Sequence, residues 1–155
     1  MTTRRVVLGY DGSEGSKAAA AWCLKYAAAL DAEIIAVGVV DLVPLIGLPP
    51  AGSPVANLPV DAMETAMRDK LERGVAPLRA AGIPCRTLVK TGNPAAVLDR
   101  VAQEEPANLI VVGRRGRGGF AEMLLGSVPH SLSHHASRPV VIVPAARSFS
   151  ASLGT

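Results

Sequence analysis

The chain is poor in the residues that several architectures need. Its two cysteines, Cys23 and Cys85, are too few for a disulfide framework and lack metal-ligand spacing. Both read as buried small hydrophobes of a reducing compartment. Aromatic residues make up only 3% of the 155 positions. A core must therefore come from Ala, Val, Leu and Ile, the residues of helix-on-sheet layers. No apolar run approaches the length of a membrane span, and none at the N-terminus resembles a signal peptide. The expectation is a cytoplasmic protein without membrane contact. There is no lysine-rich tail, and the formal net charge is only +3. So mild an excess makes no electrostatic case for nucleic acid. The Gly-Lys-Ser/Thr of a P-loop is missing, and so is the G-x-S-x-G elbow that would make Ser127 a nucleophile.

What is present alternates. Val6 to Tyr10 is a short apolar run that suits a strand covered on both faces. Ser13 to Leu30 reads as a helix with Ser13 or Ser16 as cap. Ile34 to Val40, Cys85 to Val89, Leu109 to Val112 and Val140 to Val143 read as further strands. Val60 to Ala81, Pro94 to Glu105 and Ser127 to Ala136 read as helices, the second with proline in its first turn. No repeat or linker interrupts this order. One domain over residues 1–147 is expected, with 148–155 as a flexible tail. Strand and helix in alternation predict an α/β fold: a single-domain, doubly wound, five-stranded parallel sheet of Rossmann-like type. Ligands of such sheets bind beyond the carboxyl ends of the strands, where the winding switches direction. That directs attention to Gly9 to Ser16 and to Gly113 to Gly126.

The second of these loops packs four glycines and three arginines into Gly113 to Gly119. Glycine allows backbone N–H groups to point outward with no Cβ in the way. Gly126-Ser127 then opens a helix, with Ser127 as its expected N-cap, and a free helix N-terminus attracts anions. Arg115 and Arg117 could add charge-assisted hydrogen bonds. A phosphate cradle and an exposed turn with solvated arginines both fit these residues. Gly116 to Ala121 formally matches G-x-G-x-x-A, but the following strand ends in Pro144 and offers no acid for a ribose. Asp11, at the end of the first strand, could accept two ribose hydroxyls or simply cap the turn in "DGSEGS".

Gly113, Gly116 and, nine residues on, Gly126-Ser127 resemble the G-x-x-G-x9-G-[S/T] signature of the universal stress protein family. "VVLGYDGSEGS", "AVGVVD" and "RPVVIVP" resemble that family's first, second and last strands, so the resemblance runs from Val6 through Val143. It implies a fold like that of the adenine nucleotide alpha-hydrolases and a regulatory protein that binds ATP, with or without Mg. Asp11 would face the ribose, Gly9 would leave room for the nucleotide, and Val39 would offer its backbone to adenine. Gly113, Gly116, Gly126 and Ser127 would line the phosphates, followed by Val128, with Arg115, Arg117 and Gly118 beside them. Arg114 departs from the small residue usual after the first glycine. It would either crowd the site or add a phosphate contact. The alternative is an enzyme, either a slow ATPase or an adenylyl-transferring relative. Neither S-G-G-x-D-S nor H-I-G-H is present to support adenylyl transfer, and no general base stands near the loop.

Other features carry less. His130 and His134 have metal-compatible i, i+4 spacing but no companion ligand, so His130, His134 and His135 read as surface histidines. Asp61, Glu64, Arg68, Asp69, Lys70, Glu72 and Arg73 read as a solvated helix face with i, i+4 pairs. Trp22 and Tyr26 are spaced as a core stripe. "RPVVIVP" reads as an edge strand that invites pairing with a second copy, so a homodimer is expected. Val43 to Pro59, with five prolines and two glycines, is either a lid or partner-binding segment that nucleotide orders, or a passive connection.

Overall fold

A computed structural model of the chain describes residues 3–42, 59–116 and 124–145. The proposed lid, apart from Pro59, and the tail from residue 148 lie outside the described residues, as do Arg117 and Gly118. Nine elements follow in strict alternation: β1 (Arg4–Gly9), α1 (Glu14–Leu30), β2 (Ala32–Val40), α2 (Val60–Ala80), β3 (Cys85–Thr91), α3 (Pro94–Glu104), β4 (Leu109–Gly113), α4 (Ser127–His135) and β5 (Val140–Val143). The five strands are parallel in the order β3-β2-β1-β4-β5. The chain winds outward from β1 to β3, then crosses to β4 on the other side of β1.

The apolar runs are continuous because both faces of the sheet are covered. Val6 and Leu8 of β1 pack with Ala19, Cys23 and Ala27 of α1 and with Leu71, Val75 and Leu78 of α2. Val7 faces the other way, into a second cluster with Leu98 and Val101 of α3 and Leu132 of α4. The helices cap as their sequences suggest. Ser13 Oγ accepts the Ser16 N–H at 3.2 Å, and Asn93 Oδ1 accepts the Ala96 N–H at 3.0 Å before Pro94 opens α3.

Three expectations need correction. Trp22 is only half-buried, and Tyr26 is 38% exposed with its ring 4.8 Å from that of Trp22. The stripe of α1 that meets the sheet is instead Ala19, Cys23 and Ala27, whose small side chains let the helix lie close. Cys85 is also half-buried, on the edge strand β3, while Cys23 is fully covered. Burial pushes the Cys23 thiol up to about 12, with Cys85 adding to the shift, and burial likewise raises Cys85 to about 11. On α2, the acids do not simply pair along the helix. Glu64 accepts the Thr91 hydroxyl at 3.0 Å and Glu72 the Thr87 hydroxyl at 2.8 Å, so both fasten α2 to β3. Glu72 also pairs with Arg79, and that hydrogen bond is the first cause of its lowered pKa.

Charge gathers at the amino end of the sheet. Glu33 of β2 meets Arg5 of β1 at 3.4 Å and Arg86 of β3 at 2.6 Å, and Arg86 continues to Glu105 at 2.7 Å. Among the described residues no helix is long and apolar enough to cross a membrane. Leu71 is fully buried where α2 meets β2, with its Cδ1 3.0 Å from where a β-carbon on Gly38 would lie. Replacing it, Leu71→Ala, should cost about 2–5 kcal/mol through lost transfer energy and a residual cavity. Urea unfolding followed by circular dichroism checks this as a lower midpoint.

Candidate functional site

The carboxyl ends of β1, β2 and β4 open onto a cavity of about 450 Å³ at the point where the winding reverses. Its volume suits a small-molecule site, and its position is the one such sheets use. β1 delivers Gly9 to the cavity wall, and the Tyr10 N–H then donates to the Val37 carbonyl at 3.0 Å. Gly9 is constrained from behind as well, since a β-carbon there would lie 2.9 Å from Leu98 Cδ1. The chain then turns through Gly12, whose φ of 81° favours glycine.

Within this turn Asp11 accepts the Ser13 N–H on Oδ1 at 2.9 Å. That is the turn-capping role the sequence offers. The other oxygen, Oδ2, lies toward the glycine loop. A β-carbon on Gly116 would lie 2.9 Å from Asp11 Oδ2. Asp11 lines the cavity, so one carboxylate both sets the turn and faces the site.

The glycine loop is held at its root by backbone against backbone. A β-carbon on Gly113 would lie 2.3 Å from the Gly15 carbonyl carbon, and one on Gly15 would lie 1.9 Å from the Arg115 carbonyl oxygen. Two hydrogen bonds close the loop. The Arg114 N–H donates to the Val143 carbonyl at 2.8 Å, and the Gly126 N–H donates to the Arg114 carbonyl at 2.8 Å. Arg114 thus ties β4 to β5 and to the start of α4 through its backbone, and it is not among the residues lining the cavity. Arg115 is among them.

At α4 the expected cap is displaced by one residue. Gly126 is the N-cap and Ser127 the first helical residue, with no side-chain cap. A β-carbon on Gly126 would lie 3.4 Å from both the Arg114 carbonyl oxygen and Arg115 Cα, an ordinary contact distance, so space alone does not require glycine at the cap. Pro129 has no N–H, and the His130 N–H donates to the Gly126 carbonyl at 3.1 Å. The helix start therefore presents the N–H groups of Ser127 and Val128, and both residues line the cavity. Val39 completes the set from β2. Gly9, Asp11, Val39, Gly113, Arg115, Gly116, Gly126, Ser127 and Val128 are accordingly brought together around one space, from four different elements and two loops.

Sequence reasoning missed a second wall. Met67 and Lys70 of α2 line the cavity, as does Asp41 just after β2. Asp41 was within reach of reading, as an acid directly after the strand that carries Val39. Lys70 was not, because it reads with Arg68, Asp69, Glu72 and Arg73 as part of one charged helix face, and those four are exposed. Lys70 is half-buried, with its Cδ 2.5 Å from where a β-carbon on Gly12 would stand. His130, His134 and His135 are exposed, with the His130 and His134 rings 4.9 Å apart and edge-on. Among the described residues no group of three or more His, Cys, Asp or Glu could hold a metal ion.

Comparisons with known proteins converge. The model of the universal stress protein family matches residues 2–144. Universal stress protein MJ0531 of Methanocaldococcus jannaschii is 32% identical over 140 residues, covering 90% of this chain and 81% of its own. A crystal structure of a universal stress protein family member from Burkholderia pseudomallei superposes with a TM-score of 0.70 at 28% identity, covering 91% of this chain and 96% of that one. A universal stress protein crystallised in complex with cAMP gives a TM-score of 0.61 at 28% identity, covering 94% and 100%.

The Gly15 contact makes a prediction at this point. Gly15→Ala should displace the Arg115 carbonyl and destabilise the fold by about 1–3 kcal/mol, as overpacking does. Gly82→Ala is the contrast: φ is 78° there but nothing lies within 4 Å of a new β-carbon. It should cost about 1 kcal/mol from backbone strain alone. Thermal unfolding of both variants, with amide chemical shifts for residues 113–116, checks that only Gly15→Ala disturbs the loop.

Proposed function

Because this chain belongs to the universal stress protein family, we propose that its cavity binds an adenine nucleotide, with ATP, alone or with Mg, as the working ligand. On this reading the protein is a cytoplasmic regulator whose conformation or partner contacts follow nucleotide occupancy. One observation carries the reading. Asp11 Oδ2, the Gly113–Gly116 backbone and the uncapped start of α4 face one space at the reversal of the sheet. Asp11 takes the ribose hydroxyls, and the Val39 backbone meets adenine. The N–H groups of Gly116, Ser127 and Val128 hold phosphate oxygens, with Gly113 and Gly126 keeping the loop and helix start close. Arg115 adds a charged contact, and the family resemblance assigns Arg117 and Gly118 to the phosphates as well. The cAMP complex of a 28% identical relative supports an adenine nucleotide as the ligand class.

Calorimetric titration of the purified protein should show saturable ATP binding, with ADP and AMP weaker. Gly116→Val would put a branched side chain against Asp11 Oδ2, and should reduce ATP affinity at least roughly tenfold by blocking ribose recognition. Unfolding should be unchanged, because Gly116 is exposed. Absence of heat or thermal stabilisation with every adenine nucleotide would remove the reading. Single-turnover incubation with labelled ATP separates regulation from catalysis: intact ATP recovered from the complex is expected, whereas ADP release would favour a slow ATPase.

The same reading includes a homodimer through β5. This strand is one edge of the sheet, its sequence Val140-Val141-Ile142-Val143 is wholly apolar, and all four residues are only half-buried. The opposite edge, β3, carries exposed Arg86 and Lys90, which discourage pairing. Sedimentation at micromolar protein should show a dimer that Val141→Lys weakens. A wild-type monomer with and without ATP would count against it.

A further inference from the structure

We propose that Lys70 sets the electrostatic balance of the cavity and thereby selects phosphate-bearing ligands over the bare nucleoside. The proposal rests on the reading of this cavity as an adenine-nucleotide site. On α2, the charged residues Asp61, Arg68, Asp69, Glu72 and Arg73 are exposed and Glu64 is half-buried against Thr91 of β3, whereas Lys70 is half-buried and lines the cavity. Its stem is seated on the β1–α1 turn. A β-carbon on Gly12 would meet Lys70 Cδ at 2.5 Å, Cγ at 3.1 Å and Cε at 3.3 Å, so the lysine occupies the space that a side chain there would need. Gly12 directly follows Asp11. Lys70 therefore crosses from α2 to the turn that presents the ribose-facing carboxylate.

The charges lining the cavity decide what this placement does. Among the described residues they are two acids, Asp11 and Asp41, and two bases, Lys70 and Arg115. Two negative and two positive groups leave the described lining neutral. Remove Lys70 and it carries one net negative charge, in a partly enclosed space where screening is weaker than at an open surface. Arg115 is already counted in that balance, so with Lys70 gone it offsets only one of the two acids. An anionic ligand feels that difference and a neutral one does not. Lys70 thus tunes affinity in proportion to phosphate charge, and it lies outside the glycine and serine spacing that forms the cradle.

The test is titration of ATP, AMP and adenosine into the full chain and its variants. Lys70→Met keeps the unbranched stem over Gly12 and removes only the charge. It should weaken ATP roughly tenfold, AMP about threefold and adenosine less than about twofold. Added salt should narrow the gap between variant and wild type, and Lys70→Arg should retain most ATP affinity. Adding Asp41→Asn to Lys70→Met restores neutrality and should recover ATP binding to within about threefold of wild type. Equal losses for ATP and adenosine would assign Lys70 a packing role and overturn the proposal. So would a Lys70→Met variant that binds ATP like wild type, or a double variant no better than Lys70→Met. A wild-type protein that binds adenosine but no nucleotide overturns it too. One that binds neither instead removes the underlying reading of the cavity.

Discussion

The close approach of two backbones, at Gly15 and Gly113, is the contact on which the site depends. It joins the first turn of α1 to the last residue of β4 with no room for a β-carbon on either side. Because β1 and β4 are neighbours that wind to opposite sides, their following segments diverge, and a gap opens beyond the strand ends. The Gly15–Gly113 contact closes the floor of that gap. It also fixes where the Arg115 carbonyl lies, and so where Gly116 meets Asp11. Backbone contacts of this kind make a more rigid support than side chains, which must lose rotamer freedom to hold one position.

The two ends of the sheet are built differently. At the amino end, Arg5, Glu33, Arg86 and Glu105 form a charged ladder across three strands and the end of α3. Exposed ion pairs of this kind contribute little stability individually, but they satisfy the strand ends without apolar side chains. At the carboxyl end, glycines at positions 9, 113, 116 and 126 form part of the wall, which leaves room for the cavity. The core between is divided evenly by the sheet, with α1 and α2 on one face and α3 and α4 on the other. That division follows from the crossing of the chain after β3, and the same crossing creates the cavity. Stability and site are consequences of one topological step.

The strand and helix pattern was legible in the sequence for a simple reason. Runs such as Val6 to Leu8 and Ile34 to Val37 are buried on both faces, so no polar residue interrupts them. Helix boundaries were legible where local chemistry fixes them, as Ser13 and Asn93 do. The start of α4 at Ser127 was legible, but its cap was read one residue late, because Ser127 has the better capping side chain. In the structure Gly126 takes that position, its N–H bonded to the Arg114 carbonyl. Tyr26 was assigned to the core by spacing, yet the Ala19–Cys23–Ala27 stripe wins because its small side chains admit the sheet more closely.

By itself the sequence determined the α/β alternation, the parallel strands and the two loops at which to look, since periodicity and glycine spacing are local properties. It also named the acid and the glycines that meet in the cavity. It did not determine the packing reasons for Gly9 and Gly15, that Asp11 caps its turn and faces the cavity at once rather than one or the other, or the turning inward of Lys70. These depend on distances between residues far apart in the chain: 15 with 113, 11 with 116, and 12 with 70. Such pairs have no periodic signature. They arise only when the fold brings four elements to the carboxyl end of the sheet and sets backbone against backbone or side chain there.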